Sequence, residues 1–351
     1  MIVYLNGKAY EASPGEHVLQ LALRNNIYIP HLCFHEKTGK AAKCRACVVE
    51  VEGLPGLKTS CNLPIWEGMR VTTNSRQVLE AQRMVIDFVL SSGQHDCLSC
   101  EQNGNCELQN AAYFLGIERP SFQLYVDAYE VDDSSEFVRV DRSKCINCGR
   151  CVAGCNQTVV NEVLNFGNRG YDTKIVFDAD LPMGSSSCVQ CGECVQLCPV
   201  GCLIDKRAIG SARTWELEKV ETVCPYCGVG CRLEVHVDRK KEKIFRITGV
   251  EDSPTNNGML CVKGRYGFDF VKSEERLTTP LIKENGRFRQ AGWEEAIALV
   301  ARKFAEIKNE FGSNAIAGLA SAKVTNEENF VFQKFMRREV GTNNVDHCAR
   351  L

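Results

Sequence analysis

Short alternating stretches and one amphipathic helix open the chain. Apolar and polar positions alternate on both sides of Asn6-Gly7, a pair that accepts positive φ at both positions and therefore predicts a tight hairpin. The expected strands are residues 2–5, 8–11, 48–52 and 70–73, with a helix over residues 17–26. This pattern predicts a compact α+β domain in which one helix lies across a small sheet.

A second helix is expected to begin near Ser75, a plausible N-cap, and to end at residues 91–93. The apolar residues expected on its buried side are Val78, Val85, Phe88 and Val89. An acidic stretch without periodicity, residues 118–136, predicts a linker.

The second half of the chain alternates short strands with longer helical patterns. The expected elements are a hairpin of residues 233–237 and 243–250, an amphipathic helix over 293–310, a short buried strand over 315–319 and a helix over 327–339. The last three elements are typical of the opening of an α/β domain.

Composition narrows the possible functions. With 351 residues, of which 44% are hydrophobic, the chain is long enough for several domains. A net charge of −2 argues against nucleic acid as the main partner, and no apolar run is long enough for direct membrane insertion. No signal pattern opens the chain, which predicts a cytoplasmic protein. Its 21 cysteines, clumped at short spacings in a reducing compartment, indicate metal rather than disulfides.

The first cysteine group has one close pair and two distant members. Four thiolates on a loop and an adjacent strand suit a 2Fe-2S cluster, which takes two sulfur ligands per iron. Structural zinc is the alternative, although zinc ribbons usually show two close pairs. The long first gap resembles the first cluster domain of the complex I large peripheral (75 kDa-type) subunit and its relatives. The expected ligands are Cys33, Cys44, Cys47 and Cys61.

The second group has three cysteines, one ligand short for a four-iron cluster. The string CLSCEQNGNCELQ resembles the cluster of the same family that is held by one histidine and three cysteines. The family has three residues between the histidine and the first cysteine. Here one residue separates them, and Gly93 stands where the family has its histidine. The expected 4Fe-4S ligands are His95, Cys97, Cys100 and Cys106. The alternative is that His95 is an ordinary loop histidine.

Two further groups have identical spacing, which is an internal duplication. Three thiolates at two-residue gaps wrap one face of a cubane, and the fourth cysteine of each run reaches the other cluster. The pattern resembles the two-cluster bacterial ferredoxin, with Asn156 in place of the usual proline and a long insertion between the runs. The expected 4Fe-4S ligand sets are Cys145, Cys148, Cys151 and Cys198, and Cys188, Cys191, Cys194 and Cys155.

The fifth group lies in the strings CPYCGVGC and GMLCVKGRYG. They resemble the N-terminal cluster domain of the molybdenum or tungsten bis-pterin oxidoreductases, and their formate dehydrogenase branch in particular. A zinc ribbon is the alternative for the cysteines. In that family a lysine two positions after the last cysteine couples cluster and pterin, a role the resemblance implies for Lys263; the alternative is a solvated surface lysine. The expected 4Fe-4S ligands are Cys224, Cys227, Cys231 and Cys261, which leaves Cys202 and Cys348 as structural or incidental.

The expected fold class is α+β multidomain. Its predicted parts are a β-grasp 2Fe-2S ferredoxin domain (1–77), a histidine-plus-three-cysteine 4Fe-4S domain (78–118), a two-cluster bacterial-ferredoxin domain (138–208), a molybdopterin oxidoreductase 4Fe-4S domain (217–273) and the truncated start of the α/β catalytic domain of that fold (274–351).

The final string, GTNNVDHCARL, resembles the family stretch that leads to a metal-binding selenocysteine or cysteine, which would stand at position 352. We expect the reading frame to continue through a UGA codon read as selenocysteine; a genuine stop is the alternative. The codon after codon 351 distinguishes them, because UAA or UAG would exclude the first.

The resemblance implies the electron-transfer front end of a formate dehydrogenase. Formate would be oxidised to CO₂ at a molybdenum or tungsten bis-molybdopterin guanine dinucleotide in the full-length enzyme, and electrons would leave through one 2Fe-2S and four 4Fe-4S clusters. The expected acceptor is a flavoprotein subunit that reduces NAD(P), or a ferredoxin. The front domains also resemble those of iron-only hydrogenase. The alternative is therefore a non-catalytic electron-transfer subunit of an NADH dehydrogenase or hydrogenase-type complex, if 351 residues are the complete product.

Overall fold

The structure, a computed structural model, describes residues 1–39, 41–124 and 129–347. Residues 125–128 of the predicted linker lie outside the described residues, as do Cys348 and the three residues after it. The chain divides into two compact units, the first formed by residues 1–218 and 236–246, the second by 219–235 and 247 onward. In the part of the chain described, no helix combines the length and the apolar character needed to cross a membrane.

A five-stranded sheet opens the first unit. Its strands are β1 (Ile2–Leu5), β2 (Lys8–Glu11), β3 (Val48–Val51), β4 (Lys58–Thr59) and β5 (Arg70–Thr72). The strand order is β2-β1-β5-β3-β4, with β1 antiparallel to β2 and parallel to β5. The predicted hairpin is confirmed, because Asn6 and Gly7 adopt φ of 51° and 82°. Strand β4 was not predicted.

The core of this domain follows from the two-residue period of the strands. Alternate residues of β1, β3 and β5 point to one face and are buried against helix α1 (Val18–Arg24). The central residues of this core are Val3, Leu5, Val49, Val51 and Val71 from the sheet and Val18, Leu19, Leu21 and Ala22 from the helix. The predicted helix across a small sheet is therefore confirmed.

Helix α2 (Arg76–Ser91) begins at the predicted cap, where Ser75 Oγ accepts a hydrogen bond from the Val78 amide at 3.2 Å. Its predicted buried side is partly wrong. The buried stripe contains Val78, Gln82 and Ile86, because Gln82 Nε2 donates to the Val48 carbonyl at 2.9 Å and turns this face to the sheet. Phe88 is 51% exposed. Val85 and Val89 are half-buried.

The rest of the first unit consists of short elements. They are α3 (Glu107–Phe114), β6 (Val138–Val140), α4 (Arg150–Ala153), β7 (Leu164–Gly167), β8 (Lys174–Phe177), α5 (Glu193–Leu197) and β9 (Leu203–Asp205). β6 pairs with β9, and the hairpin β7–β8 occupies the insertion between the duplicated cysteine runs. The end of the predicted linker is anchored, because Asp132 and Val140 exchange two backbone hydrogen bonds of 3.0 Å.

The remaining elements begin with three strands, each of which has residues in both units. They are β10 (Glu218–Val223), β11 (Arg232–Asp238), β12 (Lys243–Gly249), α6 (Val262–Tyr266), β13 (Leu281–Glu284), β14 (Arg287–Gln290), α7 (Trp293–Phe311), β15 (Gly318–Ala320), α8 (Asn326–Phe335) and β16 (Val345–His347). β13 and β14 pair antiparallel, and β15 and β16 pair parallel. The predicted strands at β11 and β12 and the helix α7 are confirmed.

The predicted buried strand over residues 315–319 is wrong in position and burial. A 3-10 turn occupies Ser313–Ala315, the strand begins at Gly318, and Leu319 is 82% exposed. Ile316 enters a small core with Met336 and Val340 instead. The last predicted helix also changes form, because a π-turn, Met336–Val340, follows α8.

Gly249 provides a test of packing in the second unit. A Cβ added there would overlap the backbone carbonyl of Gly258, which cannot move as a side chain can. We expect Gly249→Ala to lower the free energy of unfolding of this unit by about 1–3 kcal/mol, the usual cost of overpacking. Urea denaturation followed by limited proteolysis measures the change.

Gly292→Ala is the matched control, because a Cβ there meets no atom of the described part of the chain within 4 Å. We expect its free energy of unfolding to fall by less than about 1 kcal/mol, because Gly292 is the N-cap of α7, where alanine is somewhat less favourable than glycine. Equal stability of the two variants would contradict the close packing at Gly249.

Candidate metal centres

The first cysteine group lies in the loops that flank β3. Cys33, Cys47 and Cys61 are buried and Cys44 is half-buried. The thiols form two hydrogen-bonded pairs: the Cys44 thiol lowers the pKa of Cys33, and the Cys61 thiol lowers the pKa of Cys47. Two pairs of sulfur atoms correspond to the two ligands that each iron of a 2Fe-2S cluster requires.

Ser60 connects the two segments that carry these pairs. Its amide and its hydroxyl both donate to the Cys47 carbonyl, at 2.9 and 2.7 Å. Ser60 is fully buried and precedes Cys61, so this double contact sets the distance between the Cys47 loop and the Cys61 turn. The sequence reasoning missed Ser60, whose only signal was its place beside a cysteine.

The second group lines a cavity of about 520 Å³ in the first unit. The ligand candidates on its wall are His95, Cys97, Cys100 and Cys106. Burial raises the pKa of Cys106 to about 11, so this thiol stays protonated at neutral pH unless a metal replaces the proton. Lys144, Val200 and Gly201 of the duplicated region also line this cavity.

The geometry of His95 suits a metal ligand. Burial lowers its pKa, which favours the neutral ring that binds metals. Its Nε2 lies 3.3 Å from the Val89 carbonyl, which can only accept, so Nε2 carries the proton and Nδ1 keeps its lone pair. A carbonyl that fixes the tautomer in this way is the usual second contact of a metal-binding histidine.

In the duplicated region the structure brings together cysteines from both runs. Cys155 of the first run lines one small cavity with Cys188, Cys191 and Cys194 of the second. Cys198 of the second run lies among the thiols of the first run. Burial raises the pKa of Cys148 to about 12, and the nearby Cys198 adds to the shift. This is the exchange of fourth cysteines that the spacing predicts.

The two runs hold their first cysteine in the same way. The Asn147 amide donates to Cys145 Sγ at 3.4 Å, and the Gln190 amide donates to Cys188 Sγ at 3.3 Å. Asn147 and Gln190 have φ of 50° and 53°, so both amides point back at the sulfur. Cys202, which the sequence left as a spare, is buried and hydrogen-bonded to Cys145.

The fifth group lies in the second unit. Cys224 is buried and Cys261 is exposed, with Cys227 and Cys231 half-buried between them. Burial raises the pKa of Cys224, and the thiols of Cys261 and Cys227 add to the shift. The Cys224 amide donates to the Cys231 carbonyl at 2.9 Å. Lys263 is exposed on α6, two residues after Cys261.

The donor chemistry of these sites fits iron–sulfur clusters. Within the described ranges, no three His, Cys, Asp or Glu side chains converge closely enough to hold one bare metal ion. Zinc would need four sulfurs about 3.8 Å apart, as bond lengths of about 2.3 Å require. Thiols of the second group and of the Cys188 set line cavities, and burial raises the pKa of Cys151 and Cys194 well above the usual value. Binding as thiolates to a cluster removes that cost.

Family models match the chain in five consecutive stretches. They are the 2Fe-2S iron-sulfur cluster binding domain (2–76), the NADH-ubiquinone oxidoreductase-G iron-sulfur binding region (82–121), the 4Fe-4S dicluster domain (144–202), the Molybdopterin oxidoreductase Fe4S4 domain (217–273) and Molybdopterin oxidoreductase (276–351). The predicted fold class is confirmed, since 2Fe-2S and 4Fe-4S domains precede the start of a molybdopterin oxidoreductase domain.

Curated relatives match nearly the whole chain. The "probable oxidoreductase YjgC" of Bacillus subtilis (strain 168) is 36% identical over an alignment of 387 residues, gaps included. The alignment covers 99% of this chain and 39% of the relative. A "putative formate dehydrogenase" of Staphylococcus aureus (strain Mu50 / ATCC 700699) is 32% identical over 389 residues, with 100% and 39% covered. The chain therefore spans 39% of the length of these relatives.

A solved structure resembles part of the chain. In the crystal structure of an NAD+-reducing NiFe-hydrogenase in the H2-reduced state, one chain matches with a TM-score of 0.57 and 31% identity. The match covers 60% of this chain and 89% of that chain. The similarity therefore extends to both sequence and fold.

Gly201 provides a test of the cavity at the second group. A Cβ at this position would lie 2.6 Å from Cys100 Sγ. We expect Gly201→Ala to displace this thiol and to lower the iron content by about four per chain, the content of one 4Fe-4S cluster. Iron and sulfide analysis of protein purified without oxygen measures the loss.

Gly264→Ala is the matched control. It also lies beside a cysteine, but its Cβ would be 3.5 Å from Cys224 Sγ, an ordinary van der Waals distance. We expect it to keep its full iron content. A Gly201→Ala protein with as much iron as the control would contradict the expected displacement of Cys100 and the loss of iron that follows from it.

Proposed function

Because iron–sulfur domains lead in unbroken order into the start of a molybdopterin oxidoreductase domain, we propose that this chain is the electron-transfer portion of a formate dehydrogenase. The whole protein oxidises formate to carbon dioxide and releases one proton and two electrons. The fifth cysteine group carries this proposal, since it stands within the matched Molybdopterin oxidoreductase Fe4S4 domain. The name of the Staphylococcus aureus relative supports formate as substrate.

The proposed cofactors of this chain are one 2Fe-2S cluster and four 4Fe-4S clusters on the five predicted ligand sets. Support comes from the paired thiols of the first group, the shared cavity of the second and the exchanged cysteines of the duplicated runs. His95 is the proposed fourth ligand of the second group through Nδ1, which its contact with Val89 leaves free. The fifth set is proposed from its four cysteines alone.

Iron–sulfur clusters accept and release single electrons when bound. The chain contributes the thiolates, the hydrogen bonds to sulfur and the exclusion of water. The amides of Lys43 and Cys44 donate to Cys33, as the amides of Asn147 and Gln190 donate in the duplicated runs. Each such donor stabilises negative charge on sulfur and therefore favours the reduced form of the cluster.

The whole protein is proposed to hold molybdenum or tungsten bis-molybdopterin guanine dinucleotide, which supplies the metal for formate oxidation. From this chain we assign Lys263 a place between that group and the fifth cluster. Its exposed ammonium, two residues after Cys261, is free to contact a pterin that approaches α6. A point charge of this kind suits an anionic cofactor.

The proposed electron acceptor is a flavoprotein subunit that reduces NAD(P), or a ferredoxin, in the cytoplasm. The likeness to a chain of an NAD+-reducing hydrogenase supports a nicotinamide-linked partner. The same likeness favours one rival function, a non-catalytic electron-transfer subunit of an NADH dehydrogenase or hydrogenase-type complex. The matched molybdopterin stretches, residues 217–273 and 276–351, favour formate dehydrogenase instead.

Formate-dependent dye reduction tests the proposed activity. We expect the full-length protein, purified without oxygen, to reduce a viologen dye when formate is added and to stop when formate is omitted. The 351-residue fragment is the control and is expected to take electrons from dithionite but not from formate. Dye reduction by NADH with none by formate would favour the rival subunit.

Metal content tests the clusters themselves. One two-iron and four four-iron centres predict about eighteen irons per chain, with an equal amount of acid-labile sulfide. Elemental analysis of the anaerobic 351-residue chain gives both numbers. A zinc-rich protein with little sulfide would overturn the cluster assignment.

A further inference from the structure

The duplicated cysteine runs carry opposite charges at one equivalent position. Arg150 and Glu193 each stand one residue before the third cysteine of their run. Each follows a glycine in the left-handed conformation, Gly149 with φ of 83° and Gly192 with φ of 73°. The two side chains therefore leave equivalent backbones. Both are buried, with 1% of each side chain exposed.

The positive charge of Arg150 is only partly compensated by its ion-pair partner, Glu107. Its Nη1 and Nη2 donate to the two carboxylate oxygens of Glu107 at 2.5 and 2.6 Å. The Glu107 side chain is 38% exposed, so water screens the negative charge more than the positive one. The Arg150 Nε is buried and has no hydrogen-bond partner among the residues that the structure describes. A positive charge and one free donor thus remain inside the protein.

The surroundings of Arg150 are cysteine thiols of two groups. Its charge acts on Cys148 and Cys198, which belong to the set that begins with Cys145. It also acts on Cys33 of the first group. A buried N–H without an acceptor costs free energy, and a sulfur of a bound cluster would be able to accept this hydrogen bond.

We infer that Arg150 is a positioning residue that raises the reduction potential of the cluster held by Cys145, Cys148, Cys151 and Cys198. Reduction adds a negative charge, which a nearby buried cation stabilises. A hydrogen bond from Nε to sulfur acts in the same direction. The inference rests on the proposed iron–sulfur function and adds a residue that binds no iron.

Glu193 places a negative side chain in the second run, where the first run has Arg150. It lines the cavity of Cys155, Cys188 and Cys194 and pairs with Lys37 Nζ at 2.6 Å. Both side chains of this pair are almost fully buried, at 3% and 1%, so the two charges compensate each other. At this position the second run therefore carries a negative side chain with a buried cationic partner, where the first run carries a buried cation.

A redox titration of the full 351-residue chain tests this inference. Midpoint potentials are measured by electron paramagnetic resonance with mediators and dithionite, and Cys148→Ser identifies the signal of the Cys145 set. We expect Arg150→Gln to lower this midpoint, on the order of tenfold in the one-electron reduction equilibrium, or about 59 mV. Arg150→Lys keeps the charge and is expected to recover part of the shift.

Arg139→Gln is the matched control. Arg139 also pairs with one carboxylate, Asp133, at 2.8 and 2.7 Å, but this pair is solvent-exposed. We expect no change in any midpoint. A control that shifts the same midpoint as Arg150→Gln would assign the effect to general disturbance of the domain and overturn the inference.

Glu107→Gln separates electrostatics from structure. It breaks the same ion pair but leaves the cation in place, so we expect the midpoint to rise. A fall or no change in Glu107→Gln would overturn the inference, as would an unchanged or higher midpoint in Arg150→Gln. If Arg150→Gln fails to load its cluster, Glu107→Gln alone decides. Because no formate is added, unmoved midpoints in a chain with full iron leave the proposed function intact.

Discussion

One fully buried ion pair and one pair with a single buried partner connect the cysteine loops of the first unit and restrict where its cysteine groups can lie. Lys37, between Cys33 and Cys44, pairs with Glu193 of the second duplicated run. Arg150 of the first run pairs with Glu107, which directly follows Cys106. For the Lys37–Glu193 pair, which is buried on both sides, removing one partner typically costs about 3–5 kcal/mol, because the other charge is left without compensation. Each pair therefore permits few relative positions of the loops it connects.

This arrangement follows from the small size of the cluster domains. A stretch of about 40 residues rarely buries enough apolar surface to fold by itself, and a metal or a neighbour must supply the difference. The region around His95 relies on its neighbour, since Gln94 donates to the Ser143 carbonyl and Glu107 to the Pro199 carbonyl, both at 2.9 Å. Ligand loops that are stabilised by a neighbouring domain in this way are positioned by contacts between domains as much as by their own turns.

The features that the sequence predicted correctly depend on local chemistry. Asn6-Gly7 requires a tight turn and Ser75 caps its own helix, so both boundaries follow from a few adjacent residues. The cysteine sets follow from spacing, which brings Cys155 to the cavity of Cys188. The buried side of α2 could not be predicted, because the bond from Gln82 to Val48, 34 residues away, orients the helix.

Neither ion pair could be predicted from the sequence, and the reason is the same for both. Arg150 and Glu107 are 43 residues apart, and Lys37 and Glu193 are 156 residues apart. A charged residue inside a cysteine motif resembles any surface charge until its partner is known. The failed strand over 315–319 had a related cause, because Ile316 packs on Met336, while Leu319 points outward.

The duplicated runs show which properties spacing determines and which it leaves open. Backbone geometry is repeated, with left-handed Asn147 and Gln190 and a hydrogen bond from each amide to the first cysteine. This geometry is local, and it secures the same ligation twice. The side chains that face each site come from distant parts of the chain and differ in charge. Reduction potentials respond to charge and hydrogen bonding around a cluster, so two sites with identical ligand spacing can differ in potential without any change of ligand.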